Sequence, residues 1–138
     1  MSNDIYQQEI KFLAASGFGD GHLEDPDGSI MLDNPLCGDR ITLEVRFNGS
    51  VINEIAHQVR GCILCKAAAS VIAKAAPGCD FQSFLDIELQ ISAMLNNENF
   101  SEWQSPWQQL SIFEPVKAHS SRTNCVLLPF QALGSFYR

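Results

Sequence analysis

The chain has 138 residues, 46% of them hydrophobic and 18% charged, with a net charge of −7. That length and composition suit one globular domain, 1–138, with a proper core. The acidic balance argues against general binding to nucleic acid or to an anionic membrane, because no basic field would gather phosphates.

The opening "MSNDIYQQEIKFLAASGFGDGHLED" has no basic region followed by an apolar run, so no secretory signal is read there. Ser2 or Asn3 can cap a first helix with Ile5, Tyr6, Glu9, Ile10 and Leu13 at helical spacing, ending near Gly17. "GFGDGHLEDPDGS" reads as a loop, "SIML" as a short strand, and "DNPLCGD" as a second loop. "RITLEVRF" alternates Ile41, Leu43, Val45 and Phe47 against Thr42, Glu44 and Arg46, the period of a half-buried strand. "NGS" turns the chain, and "VINEIAHQVR" returns as the antiparallel partner, with His57 at an exposed sheet position.

From Cys62 the pattern changes. "CKAAASVIAKAA" favours helix until Pro77-Gly78 ends it. Asp80 can cap the next helix, "FQSFLDIELQISAML", with Phe84, Ile87, Ile91 and Leu95 along one face. "SEWQSPWQQLSIFEPV" suggests a short helical segment and a turn. "SSRTN" leads into Cys125, where a terminal helix begins with Pro129 in its first turn. No stretch approaches the roughly 18 apolar residues of a membrane span, so a cytoplasmic location is expected.

In that reducing compartment Cys37, Cys62, Cys65, Cys79 and Cys125 are not expected to form structural disulfides. Metal, catalysis and plain burial remain. Cys62-x-x-Cys65 at a helix start has the layout of a redox pair, but a hairpin precedes it in place of the βαβ unit that layout needs. Cys65 and Cys79 read as buried filler. In "NPLCGDRI" Gly38 lets Cys37 and Asp39 face one point. With Cys62 and Cys125 they make three sulfurs and one oxygen, a tetrahedral set for zinc that suits an iron–sulfur cluster equally. A salt bridge from Asp39 to Arg40 is the alternative for that acid. His22 and His119 lie in loops, and His119 is an outside candidate for a base near the site.

"NPLCGDRITLEV", "VRGCILCKAAASVIAK" and "SSRTNCVLLPFQAL" together resemble the three cysteine motifs of the U-type iron–sulfur cluster assembly proteins, the family of IscU, SufU and the N-terminal domain of NifU. The resemblance runs from about Asp33 to Leu133. It implies an α+β fold, with a small antiparallel sheet of about three strands and helices packed on one face. It also carries over Cys37, Asp39, Cys62 and Cys125 as site residues. Cys62 and Cys125 would then sit at helix N-termini, where the dipole favours thiolate. The long gap before Cys125, Arg122 three residues ahead of it, and Asn124 where IscU has a histidine all look like the SufU branch.

For that branch the resemblance implies a zinc-bound sulfurtransferase that takes persulfide sulfur from a cysteine desulfurase, with Cys37 as acceptor. For the IscU branch it implies a scaffold for a 2Fe-2S cluster that passes to acceptor proteins, with Cys125 as acceptor. A redox protein using Cys62 and Cys65 is the alternative from another class. Cys65 departs from the family pattern, which has a small or hydroxyl residue there.

Overall fold

A computed structural model describes residues 8–36, 38–100 and 102–137. Cys37 and the expected capping residues Ser2 and Asn3 lie outside them, as do Ile5 and Tyr6.

Three strands form one antiparallel sheet in the order β1-β2-β3: β1 (Gly28–Asn34), β2 (Asp39–Asn48) and β3 (Val51–Arg60). The expected hairpin is β2–β3, and the "SIML" strand extends by residues at both ends to become β1. Ile41, Leu43 and Val45 of β2 point into the core, and their partners across the ladder are Val59, His57 and Ile55. His57 is therefore not exposed, as the sequence reading held, but only 4% accessible. It shares the parity of Ile55 and Val59, and side chains two apart on a strand face the same way. The Phe18 carbonyl accepts its Nε2–H at 2.8 Å, and Gly19 and Gly21 bond to its backbone along the edge of β3.

Among the described residues, four α-helices accompany the sheet. α1 (Gln8–Ser16) buries Ile10 and Leu13 against α2 (Ile63–Ala75), which follows β3 with Cys62 as its N-cap. Ala67, Ala68, Ala69, Ala73 and Ala75 of α2 are all buried, and their small size lets the helix sit closely among its neighbours. α3 (Phe81–Leu95) is capped as expected, since the Asp80 carboxylate accepts the Ser83 amide at 2.8 Å. Its face of Phe84, Ile87, Ile91 and Leu95 is buried.

A 3-10 segment, Gln108–Ala118, then leads into α4 (Ser120–Gly134). α4 starts five residues before Cys125, so Pro129 is inside the helix and Cys125 is in its second turn. The expectation that Cys125 opens the helix is corrected by packing. Thr123 and the run from Cys125 to Phe130 are buried against α2 and the sheet, and that burial outweighs the loop character of Ser120, Ser121 and Asn124. α2 lies on β3, α4 on β1 and β2, and α3 on α4, so the helices form a layer on one face of the sheet. No helix among the described residues is long and apolar enough to cross a membrane.

Candidate metal centre

Arg40 and Arg60 are the last paired residues of the β2–β3 ladder, so Asp39 and Gly61 emerge side by side at that end of the sheet. On the other side of Asp39 the β1–β2 connection is held by Asn34. Its side-chain oxygen accepts the Leu36 amide at 3.1 Å, and its carbonyl accepts the Gly38 amide at 2.8 Å. Gly38 has φ +77°, a conformation open to glycine at no steric cost.

Asp39 is 3% accessible, and Arg40 does not pair with it. Arg40 donates instead to Asp33, Nε to Oδ1 at 2.6 Å, and that hydrogen bond, helped by the guanidinium charge, holds the Asp33 carboxyl below its usual range. Asp39 turns inward to Cys62. Its Oδ1 accepts the Cys62 amide at 3.1 Å, and its Oδ2 lies 3.5 Å from Cys62 Sγ, which donates to it as a thiol. Gly61 permits this approach. A Cβ there would stand 2.6 Å from Asp39 Cγ, inside any allowed contact.

Cys62 has extended backbone, φ −79° and ψ 167°, before the first turn of α2. Its thiol is lowered to about 7, chiefly by a hydrogen bond from the Cys125 thiol. Burial opposes the shift, the Cys65 amide adds to it, Asp39 opposes it by like charge, and the Leu64 amide adds a little more. These hydrogen bonds favour the Cys62 thiolate, the form that binds metal and attacks sulfur.

A carboxylate oxygen of Asp39, Cys62 Sγ and Cys125 Sγ all lie within 4.8 Å of one another. A tetrahedral ion about 2.3 Å from sulfur and about 2.0 Å from oxygen sets those two donors about 3.5 Å apart. Cys62 Sγ and Asp39 Oδ2 already have that separation. Two sulfurs and one oxygen supply three of four tetrahedral positions, and the donor set fits zinc or iron.

Three of the four residues expected at the site thus come together, while Cys37 lies outside the described residues. Cys65 is fully buried in the core, as expected for filler, and offers no surface to a substrate disulfide, so the redox-pair alternative is not favoured. Cys79 is half-buried, more open than expected. Its Sγ lies 3.7 Å from the Ala75 carbonyl, and burial pushes its thiol up. His22 contacts Glu44 at 3.2 Å, and neither it nor His119 belongs to the ligand cluster found among the described residues.

A cavity of about 710 Å³ opens beside the cluster, with Asp39, Cys62, Arg40, Arg60 and Arg122 on its walls. Arg60 and Gly61 went unremarked in the sequence. Their adjacency to Cys62 was visible, but nothing in a linear string gives the direction in which a charge points.

A profile described as the NifU-like N terminal domain matches residues 6–123. The chain belongs to this family. It is 27% identical over 131 residues to the protein of Bacillus subtilis named zinc-dependent sulfurtransferase SufU, covering 94% of this chain and 86% of that one. It is 24% identical over 129 residues to the iron-sulfur cluster assembly scaffold protein IscU of Thermotoga maritima, covering 94% and 89%. Among solved structures, the N-terminal part of a nitrogen-fixing NifU-like protein from Brucella abortus superposes with a TM-score of 0.89 at 27% identity, covering 96% and 92% of the two chains. A putative scaffold protein for the SUF system from Fervidobacterium islandicum superposes with a TM-score of 0.85 at 25% identity, covering 96% of each. The family's mixed fold, a three-stranded antiparallel sheet under helices, is the one that the resemblance implied.

Proposed function

We propose that this chain, acting as one domain, serves iron–sulfur cluster biogenesis by accepting sulfur at a metal–thiolate site, in the manner that the name SufU describes. The reading rests above all on the convergence of Asp39, Cys62 and Cys125 in a member of this family. Cys37 completes the ligand set in this proposal, as the Cys-Gly-Asp motif implied. A bound zinc would supply the positive charge that keeps these thiols deprotonated.

The chain's own groups have distinct tasks. Asp39 accepts the Cys62 amide and so fixes the start of α2, while it offers a hard oxygen among soft sulfurs. Cys62 takes a hydrogen bond from the Cys125 thiol, which favours its thiolate form. The accepting thiolate, Cys37 in this reading, attacks the outer sulfur of a persulfide on a cysteine desulfurase. The donor's S–S bond breaks, its electron pair leaves on the donor cysteine, and the outer sulfur stays on the acceptor. A cytoplasmic location belongs to the proposal, because none of the described cysteines is in a disulfide and the chemistry needs them reduced.

The scaffold role is the second reading, favoured by the relatives named IscU and by a donor set that accepts iron as readily as zinc. There the 2Fe-2S cluster is cargo for acceptor proteins, and Cys125 is the sulfur acceptor.

Incubation with a cysteine desulfurase and free cysteine, followed by peptide mass mapping, tests both. One added sulfur on Cys37 is expected for the relay and on Cys125 for the scaffold. No sulfur on any of the three cysteines, with the desulfurase turning over, would contradict the proposal.

A further inference from the structure

Four observations at the site are left over once the metal ligands are assigned. First, the cavity is far larger than an ion needs: about 710 Å³, in the range of small-molecule pockets. Second, its walls carry Arg40, Arg60 and Arg122, three of the nine Lys and Arg residues in a chain of net charge −7. Third, Arg40 and Arg60 are direct cross-strand partners, and like charges in that position destabilise a sheet. Fourth, Arg40 is drawn away to Asp33, whereas Arg60 has no ion pair with any described residue.

A guanidinium placed at an energetic cost, without an ion-pair partner among the described residues, on the wall of a cavity that also holds Cys62 is arranged for an anion supplied from outside. A carboxylate matches its fork of donors. We propose that this cavity is a subsite for the carboxylate of a low-molecular-weight thiol or persulfide, held by Arg60 and Arg122 with its sulfur against Cys62. The proposal rests on the sulfur-handling reading of the site and names a substrate class for it, a small carboxylate-bearing sulfur compound. Carboxylate and thiol then sit at the two ends of one ligand, as they do in any cysteine-type molecule.

Thiol–disulfide exchange at Cys62 reads this out. The Cys62 thiolate attacks one sulfur of a symmetrical disulfide, the S–S bond breaks, a mixed disulfide forms, and one thiolate leaves. Three probes of similar size differ mainly in charge: dithiodiglycolate is anionic, 2-hydroxyethyl disulfide neutral and cystamine cationic. The overall charge of −7 alone would make the anionic probe the slowest.

With the full chain as purified, its metal content recorded, and adducts on Cys62 counted by peptide mapping, the subsite makes the anionic probe about tenfold faster than the neutral one. Arg60→Met abolishes the preference and Arg60→Lys restores part of it, with metal content unchanged in both. Equal rates, or the order cationic, neutral, anionic, would overturn the proposal. So would an Arg60→Met variant that slows all three probes by one factor, because the arginine would then serve only as a counter-charge to the thiolates. Metal bound without any anion preference sinks the subsite alone. A preference in folded protein that takes up no metal supports the subsite and sinks the metal reading.

Discussion

Gly61 occupies the tightest point of the site. The Asp39 carboxylate fills the space that a Cβ at this position would take, between the start of β2 and the Cys62 amide. A methyl group there must displace Asp39 or the start of α2, and neither can yield without losing the 3.1 Å bond between them. Gly61→Ala is therefore expected to cost about 1–3 kcal/mol in stability and to weaken metal binding more than a substitution of equal cost elsewhere. Denaturant unfolding and a metal competition titration on the same protein check both; an unchanged affinity would contradict the placing of Asp39 among the ligands. At this scale the sequence was most legible where chemistry sits in the motif itself, as at Asp39 and Cys62. It was least legible where meaning depends on direction. Arg40 was open to pairing with Asp39 and pairs with Asp33, and Arg60 carried no signal in one dimension although it faces the cavity.

Among the elements, β2, β3, α2 and α3 were readable because period, turn residues and caps agree. α4 was not. Its first turn holds Ser120, Ser121 and Thr123, poor helix formers, and it exists because Thr123, Val126 and Phe130 gain burial on α2 and the sheet. β3 holds the other surprise, and its parity carried the signal: His57 alternates with Ile55 and Val59 and belongs with them inside. Burial pushes its imidazole below the ordinary value of 6.5, with the Phe18 carbonyl and Asp20 opposing more weakly. The folded state holds His57 neutral, the unfolded state protonates it near 6.5, and the stability present above that pH is lost as the pH falls below it. At most about 1.4 kcal/mol per pH unit is at stake. Chemical denaturation from about pH 7.5 down to about pH 5 is expected to show wild-type protein losing stability faster than His57→Leu, with the other histidines common to both. Parallel curves would mean that His57 titrates alike in the folded and unfolded states, as an exposed imidazole would.

For the whole molecule, the sheet and its helical layer bring three distant points of the chain to one end. The start of β2, the β3–α2 junction and the second turn of α4 carry Asp39, Cys62 and Cys125 to within 4.8 Å of one another. The spacing of these residues along the chain gave little hint of this, since 23 and 63 positions separate them in turn (62 − 39 and 125 − 62); the ordered motifs and the family resemblance supplied it. The mixed donor set is the feature on which the functional reading depends. Metal content and the visible spectrum of anaerobically purified protein test it most directly, in wild type and in the Asp39→Ala, Cys62→Ala and Cys125→Ala variants. About one zinc per chain without colour, or iron with sulfide and thiolate-to-iron absorption, is expected in wild type, with a marked loss in each variant. Folded wild-type protein that takes up no metal, or variants that keep it undiminished, would contradict the account.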